Sequence, residues 1–271
     1  MDQQECLMDT TNWDELITGA YTTPLIGRKT LLEQLDAQLN DPTPGPRAVM
    51  ISGPGGIGKT RLLATALELA SRIPGLHVAR GIVDLYHVPT HTPGGLALAL
   101  YRALRLPPDA FREYEAARDK LDALRLSGDI AGIAAQRAQT LLAFGQDLRR
   151  LATHGRVILA LDTAERLVYG ANQMPVPIMQ YAEVWAWLLK SLPTWGDVTL
   201  LIAGRPQIEL LRQGLVQALA RPAVELVVDV FDESESLAYF EAVTQRLRAE
   251  APQVAKRIAA LTLDNRRLMH L

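Results

Sequence analysis

The eight residues Gly53-Pro54-Gly55-Gly56-Ile57-Gly58-Lys59-Thr60, spaced as G-x-x-x-x-G-K-[ST], constrain this chain more than any other feature. They follow a short apolar run, Arg47 to Ser52 (RAVMIS), and lead into a helical pattern, Thr60 to Ser71 (TRLLATALELAS). Glycines let backbone N–H groups converge on phosphate oxygens with no Cβ in the way. A helix that begins near Gly58 directs its positive end at the same point. The pattern therefore predicts a cradle for a nucleoside triphosphate, built from Gly53, Pro54, Gly55, Gly56, Ile57 and Gly58, with Arg61 also at the nucleotide. Lys59 is expected to reach the β- and γ-phosphates, and the Thr60 hydroxyl to ligate Mg²⁺. No Asn-Lys-x-Asp guanine-reading motif occurs, so ATP or ADP is the expected nucleotide.

The rest of the chain alternates between apolar runs and helical patterns. Further strands are expected at His77–Val83, Arg156–Asp162, Val198–Gly204 and Val224–Val230. Helices are expected at Lys29–Leu39, Pro93–Leu104, Pro108–Leu126, Asp129–Thr153, Gln180–Leu192, Gln207–Ala220, Ser234–Glu250 and Pro252–Leu263. Strands that read as continuous apolar runs between helices imply a parallel sheet covered on both faces. The fold class expected is α/β, a three-layer P-loop NTPase with a five-stranded parallel sheet and a partial helical lid. The expected boundaries are a polar tail over residues 1–23, the ATPase domain over 24–230 and the lid over 231–271.

Three residues beyond the loop bear on chemistry. Asp162 ends an apolar strand, where an acid can hold Mg²⁺ directly or through water; the alternative is a turn or helix N-cap residue. Thr163 follows it, so no second acid stands next to Asp162, and Glu165 is the nearest carboxylate able to orient an attacking water. The alternative for Glu165 is an exposed glutamate in the first turn of the next helix. Arg205, after the fourth strand, could sense a γ-phosphate or serve as a solvated strand-end arginine.

Composition narrows the setting. The net charge is -2, so no global positive field draws the chain to nucleic acid, and a nucleic-acid partner is not expected. The one cysteine, Cys6, permits no intrachain disulfide and fits a cytoplasmic location. No apolar run approaches the ~20 residues that span a bilayer, so no membrane partner is expected.

In this order, the motifs resemble the STAND class of AAA-related signalling ATPases, which includes the NACHT and NB-ARC proteins. Leu25-Ile26-Gly27-Arg28 with Leu31 to Leu35 is similar to the class's opening segment. Gly53 to Thr60 has its favoured GPGGIGKT form, Leu159 to Glu165 resembles its Walker B stretch, and Leu200 to Arg205 its sensor-1 strand. Phe231 to Glu235 with Ala238-Tyr239-Phe240 is similar to its link into a helical lid. The resemblance implies a strand order of 5-1-4-3-2. It also implies an adenine framed by Ile26, Gly27 and Arg28, and a nucleotide switch that hydrolyses ATP slowly with Mg²⁺. Residues 263–268 lack the lid's G-x-P motif, and no winged helix follows, so an ATPase core relying on self-association or further C-terminal domains is expected. A small-molecule kinase with its acceptor pocket between His91 and Thr153, a DNA-associated AAA⁺ ATPase, and a module that holds ADP without turnover are the other readings.

Overall fold

The computed structural model describes residues 28–168 and 179–250. The polar tail, Ile26, Gly27, the helix expected at Pro252–Leu263 and residues 263–268 lie outside them. The chain divides into two compact units, Thr30–Asp229 and a smaller one formed by Met1–Lys29 with Val230–Leu271.

The larger unit is built on a parallel sheet. Its strands are β1 (Arg47–Ser52), β2 (His77–Val78), β3 (Val83–Asp84), β4 (Val157–Asp162), β5 (Val198–Gly204) and β6 (Val224–Val227). The spatial order is β2-β4-β5-β1-β6, with β3 also on β4. This is the expected 5-1-4-3-2 order with one correction. The run His77–Val83 is not continuous but breaks into two short strands, each paired in parallel with β4. Ala79 still donates its N–H to Ile158 of β4 at 2.9 Å, but Arg80 donates to the carbonyl of Ala103 at 2.7 Å instead, and this break turns five expected strands into six.

Every residue of β1, β4 and β5 is buried, as continuous apolar strands covered on both faces should be. Alternate side chains feed two cores. Met50, Leu159, Leu161, Leu200 and Ile202 join a cluster with α3 (Pro93–Leu104), α5 (Ile130–Leu151), α6 (Met179–Ser191) and α7 (Glu209–Leu219). On the other face, Ile51, Ile158, Ala160, Leu201 and Ala203 are equally buried, and α2 (Lys59–Ser71) supplies Leu62, Leu63 and Ala66. α1 (Lys29–Asn40) buries Leu35 and Leu39, and its exit loop is pinned by Arg156, which donates to the carbonyls of Asp41 and Thr43 and pairs with Asp197.

The long helical insertion between β3 and β4 contains α3, α4 (Arg112–Ser127) and α5. Phe144 lies at its centre, with ring centroids 5.8 Å from Phe111, 5.4 Å from Tyr114 and 5.7 Å from Trp195. Fully buried Asp147 joins α5 to α4. It accepts the Tyr114 N–H at 2.9 Å and pairs with Arg150 at 2.8 Å. Burial pushes its carboxyl above the usual range, against the pull of those partners.

In the smaller unit, α8 (Glu233–Glu250) starts with a reciprocal cap. Asp232 accepts the Glu235 N–H at 2.8 Å, and Glu235 accepts the Asp232 N–H at 3.3 Å. Arg28, at a φ of 63°, donates its own N–H to Glu235 at 2.7 Å, and its guanidinium lies 4.3 Å from the Phe231 ring.

Phe144→Ala should cost about 3–5 kcal/mol, since it removes a fully buried ring from a packed aromatic cluster. The midpoint of urea unfolding checks this; a loss below about 1 kcal/mol would mean that the cluster can collapse into the gap.

Candidate nucleotide site

The parallel register sets the site. Ser52 lies beside Gly204, Leu161 beside Ile202 and Asp84 beside Asp162, so β1, β3, β4 and β5 end at one edge of the sheet. Gly53, Thr163 and Arg205 leave the sheet together there.

Gly53 is fixed by packing. A Cβ on it would stand 2.5 Å from the carbonyl oxygen of Val228, whose N–H binds Ser52 O at 2.7 Å. Gly56 and Gly58 are fixed by backbone. Their φ values of 75° and 101° lie in the left-handed region, and a Cβ on either would meet nothing within 4 Å. Gly58 caps α2 with no side-chain hydrogen bond, and no acid stands in the helix's first turn. The N–H groups and positive dipole end of a 13-residue helix therefore face the loop without a protein anion of their own helix to answer them. These features fit phosphate.

Lys59 Nζ donates to the carbonyls of Gly53 at 2.9 Å and Pro54 at 2.7 Å. Burial pulls its ammonium below the ordinary value; the carboxylates of Glu165 and Asp162 oppose that, and Arg205 reinforces it. The Thr60 hydroxyl donates to Asp162 Oδ2, and Asp162 Oδ1 accepts the Thr163 N–H at 2.7 Å. One hydroxyl and one carboxylate, side by side next to a phosphate cradle, are hard oxygen donors of the kind Mg²⁺ takes when it completes its shell with water and phosphate. Among the described residues, no group of three or more His, Cys, Asp or Glu could hold a metal by itself.

Asp162 is buried, and burial raises its carboxyl above the usual range, with Asp84 and Glu165 adding to the rise and the Thr60 and Thr163 hydrogen bonds opposing it. Glu165 is buried on a short 3₁₀ turn, Ala164–Leu167. Both of its oxygens face Arg205: Oε2 accepts the backbone N–H at 3.1 Å, and Oε1 lies 3.4 Å from Nε. Glu165 is therefore not the exposed first-turn glutamate of the alternative reading. The Arg205 side chain is 56% exposed, with its guanidinium beside Gly55, where a Cβ would lie 3.7 Å from an Nη. Arg61 and Ile57 are half-buried alongside the loop. Arg28 has its contacts within its own unit.

Sequence reasoning missed Asp84. It ends β3 as Asp162 ends β4, and its Oδ1 accepts the Thr163 hydroxyl at 2.6 Å. Thr163 is held at a φ of 58°, a conformation that a β-branched residue adopts only under constraint. The signal was the acid in Gly81-Ile82-Val83-Asp84, at the end of an apolar run in a sheet expected to be parallel. Which strand would lie beside β4 was not readable from the run itself.

A strand–loop–helix phosphate cradle beside a strand-end Asp and a 3₁₀-turn Glu defines a P-loop ATPase. The chain belongs to the AAA ATPase domain family, whose model matches residues 24–174, more than half of its 271 residues. No curated protein sequence matches it significantly. Among solved structures, 24 chains are similar to it. One comes from the structure of Drosophila ORC bound to DNA, at 19% identity and a TM-score of 0.52, covering 87% of this chain and 51% of the other. Another comes from the E. coli MS115-1 HORMA:CdnC:Trip13 complex, at 14% identity and a TM-score of 0.40, covering 88% of this chain and 72% of the other. The chain thus spans about half the length of the ORC chain, and the likeness shows the fold. Among the described residues, no helix is long and apolar enough to cross a membrane.

Asp162→Asn should stabilise the nucleotide-free protein. A carboxyl whose folded pKa is raised binds more protons folded than unfolded, so stability falls as pH rises through the window above the ordinary value of 3.8. Melting temperatures should therefore favour Asn at pH 7, with the gain narrowing as the pH falls towards that value. Equal melting temperatures at pH 7 would mean that the buried charge costs nothing.

Proposed function

We infer that this chain is the ATP/ADP-binding core of a nucleotide switch of the STAND class, reset by slow Mg²⁺-dependent hydrolysis. The observation that carries the reading is the position of Arg205, at once the partner of Glu165 and the neighbour of Gly55. An arginine so placed answers either the Glu165 carboxylate or the terminal phosphate of a triphosphate. With ATP, its turn to phosphate frees Glu165; with ADP, the Glu165 pair stands. That gives the two nucleotide states different contacts, which any population shift requires.

The remaining roles follow from placement. Lys59 reaches the β- and γ-phosphates, and Gly53 to Gly58 with Arg61 surround them. Thr60 and Asp162 hold Mg²⁺, whose charge neutralises the phosphates. Glu165, once released, orients water, and Asp84, through Thr163, fixes the backbone that carries Asp162. The motifs from Leu25 to Arg28 and from Phe231 to Phe240 support the STAND assignment, and Ile26, Gly27 and Arg28 are the proposed adenine frame. ATP favours assembly with further domains or copies in a cytoplasmic signalling protein, and ADP opposes it. The Drosophila ORC neighbour, solved on DNA, favours a second reading as a DNA-associated ATPase. With a net charge of -2, such contact would be local, and a salt-dependent DNA mobility shift would reveal it.

Single-turnover hydrolysis tests the first reading. Wild type should turn over well below about one per second, as unassisted GTPases do. Glu165→Gln should keep ATP binding and lose about 10²-fold or more in rate. Equal rates for wild type and Glu165→Gln would remove Glu165 from the mechanism. Asp84→Asn should also slow hydrolysis while ATP still binds; lost binding would make its role purely structural.

A further inference from the structure

The larger unit holds a second cavity, of about 560 Å³, that shares no lining residue with the phosphate site. It lies between the first turn of α3 and helices α4, α5 and α6. The volume is within the range of small-molecule sites, roughly 300–1,000 Å³. We propose that it binds a small amphipathic anion, with an aromatic or aliphatic body on the apolar floor and a phosphate, sulfonate or carboxylate at the arginine rim.

The floor is Leu98, Tyr114, Leu121 and Leu141. Tyr114 is 1% exposed, and it lines the cavity. Its phenol hydroxyl is a group that a ligand in the cavity can bond. Burial raises it to about 12, so it is a neutral donor at any working pH.

The rim carries Arg118, Arg125 and Arg137 against Asp122 and Glu183. Asp122 is taken up by Arg125 at 2.8 Å. Arg118 lies 5.8 Å over the Tyr114 ring and, like Arg137, has no carboxylate partner among the described residues. Two arginines thus stand over an apolar floor with a single acid, Glu183, left to oppose them, a balance that favours an anionic head group. The first turn of α3 adds to it. Thr92 caps that turn by accepting the Gly95 N–H at 3.1 Å, while a Cβ on Gly94 would meet nothing within 4 Å. That leaves room at the positive end of the helix for a ligand oxygen.

Occupancy would tie α3, α4, α5 and α6 together. The binding claim itself does not rest on the switch reading.

The test is fluorescence titration of the full chain with 1-anilinonaphthalene-8-sulfonate, an aromatic anion, and with N-phenyl-1-naphthylamine, its neutral counterpart. Saturable binding of the anion is expected. Arg118→Ala with Arg137→Ala should weaken it about tenfold or more, the usual size of a lost charge-assisted contact, and should change the neutral probe by less than about twofold. Leu98→Trp, which fills the floor, should abolish both. Lys59→Ala and excess ADP should leave both unchanged. Near-ultraviolet circular dichroism shows that each variant keeps its packed aromatic cluster, and a variant that loses it is replaced by Arg118→Gln with Arg137→Gln. No saturable binding, displacement by ADP, or an affinity indifferent to the arginines would overturn the proposal.

Discussion

The common level at which the parallel strands end is the constraint on which the site depends. Parallel pairing locks Ser52 to Gly204, Asp84 to Asp162 and Leu161 to Ile202, so a one-residue slip in any strand would move its site residue to the other face. Burial of β1, β4 and β5 on both faces resists such a slip, because each strand is packed against helices above and below. The chemistry at the edge is therefore held by the same apolar packing that stabilises the fold.

That edge concentrates opposing charges. Asp162 and Glu165 stand close to Lys59, Asp84 acts on Asp162 and Arg205 pairs with Glu165, and the partly buried setting keeps these charges from being fully screened. Asp162 carries a folding cost by being buried, and Thr163 a backbone cost by standing at positive φ. Costs of this kind are kept where a ligand relieves them. A bound cation would relieve Asp162; a terminal phosphate would offer Arg205 a partner other than Glu165. Arg205 pairs with Glu165 at 3.4 Å and its charge also acts on Lys59, so the three side chains form one short electrostatic network.

Much of this was legible in the sequence because it rested on local rules. RAVMIS, GPGGIGKT and TRLLATALELAS each carry their own structure, and α3 begins and ends at the expected residues, Pro93 and Leu104. What the sequence hid was lateral. His77–Val83 reads as one strand, yet Arg80 turns its N–H from β4 to the carbonyl of Ala103 and breaks it. In the sequence Asp84 is only an acid after a valine, and it gains meaning when β3 lies beside β4. The Glu165–Arg205 pair joins residues 40 apart, and no periodicity announces it. The cavity beneath Arg118 and Arg137 likewise depends on how four helices pack, whereas the helices themselves could be read one at a time.

Isothermal titration of the full chain with ATP and Mg²⁺, beside Lys59→Ala, addresses the central claim most directly. The account predicts saturable binding of one nucleotide per chain, weakened roughly tenfold or more, or about 1.4 kcal/mol, when the Lys59 ammonium is removed. A wild-type chain that takes up neither ATP nor ADP, or a Lys59→Ala variant that binds both as tightly as wild type, would contradict it.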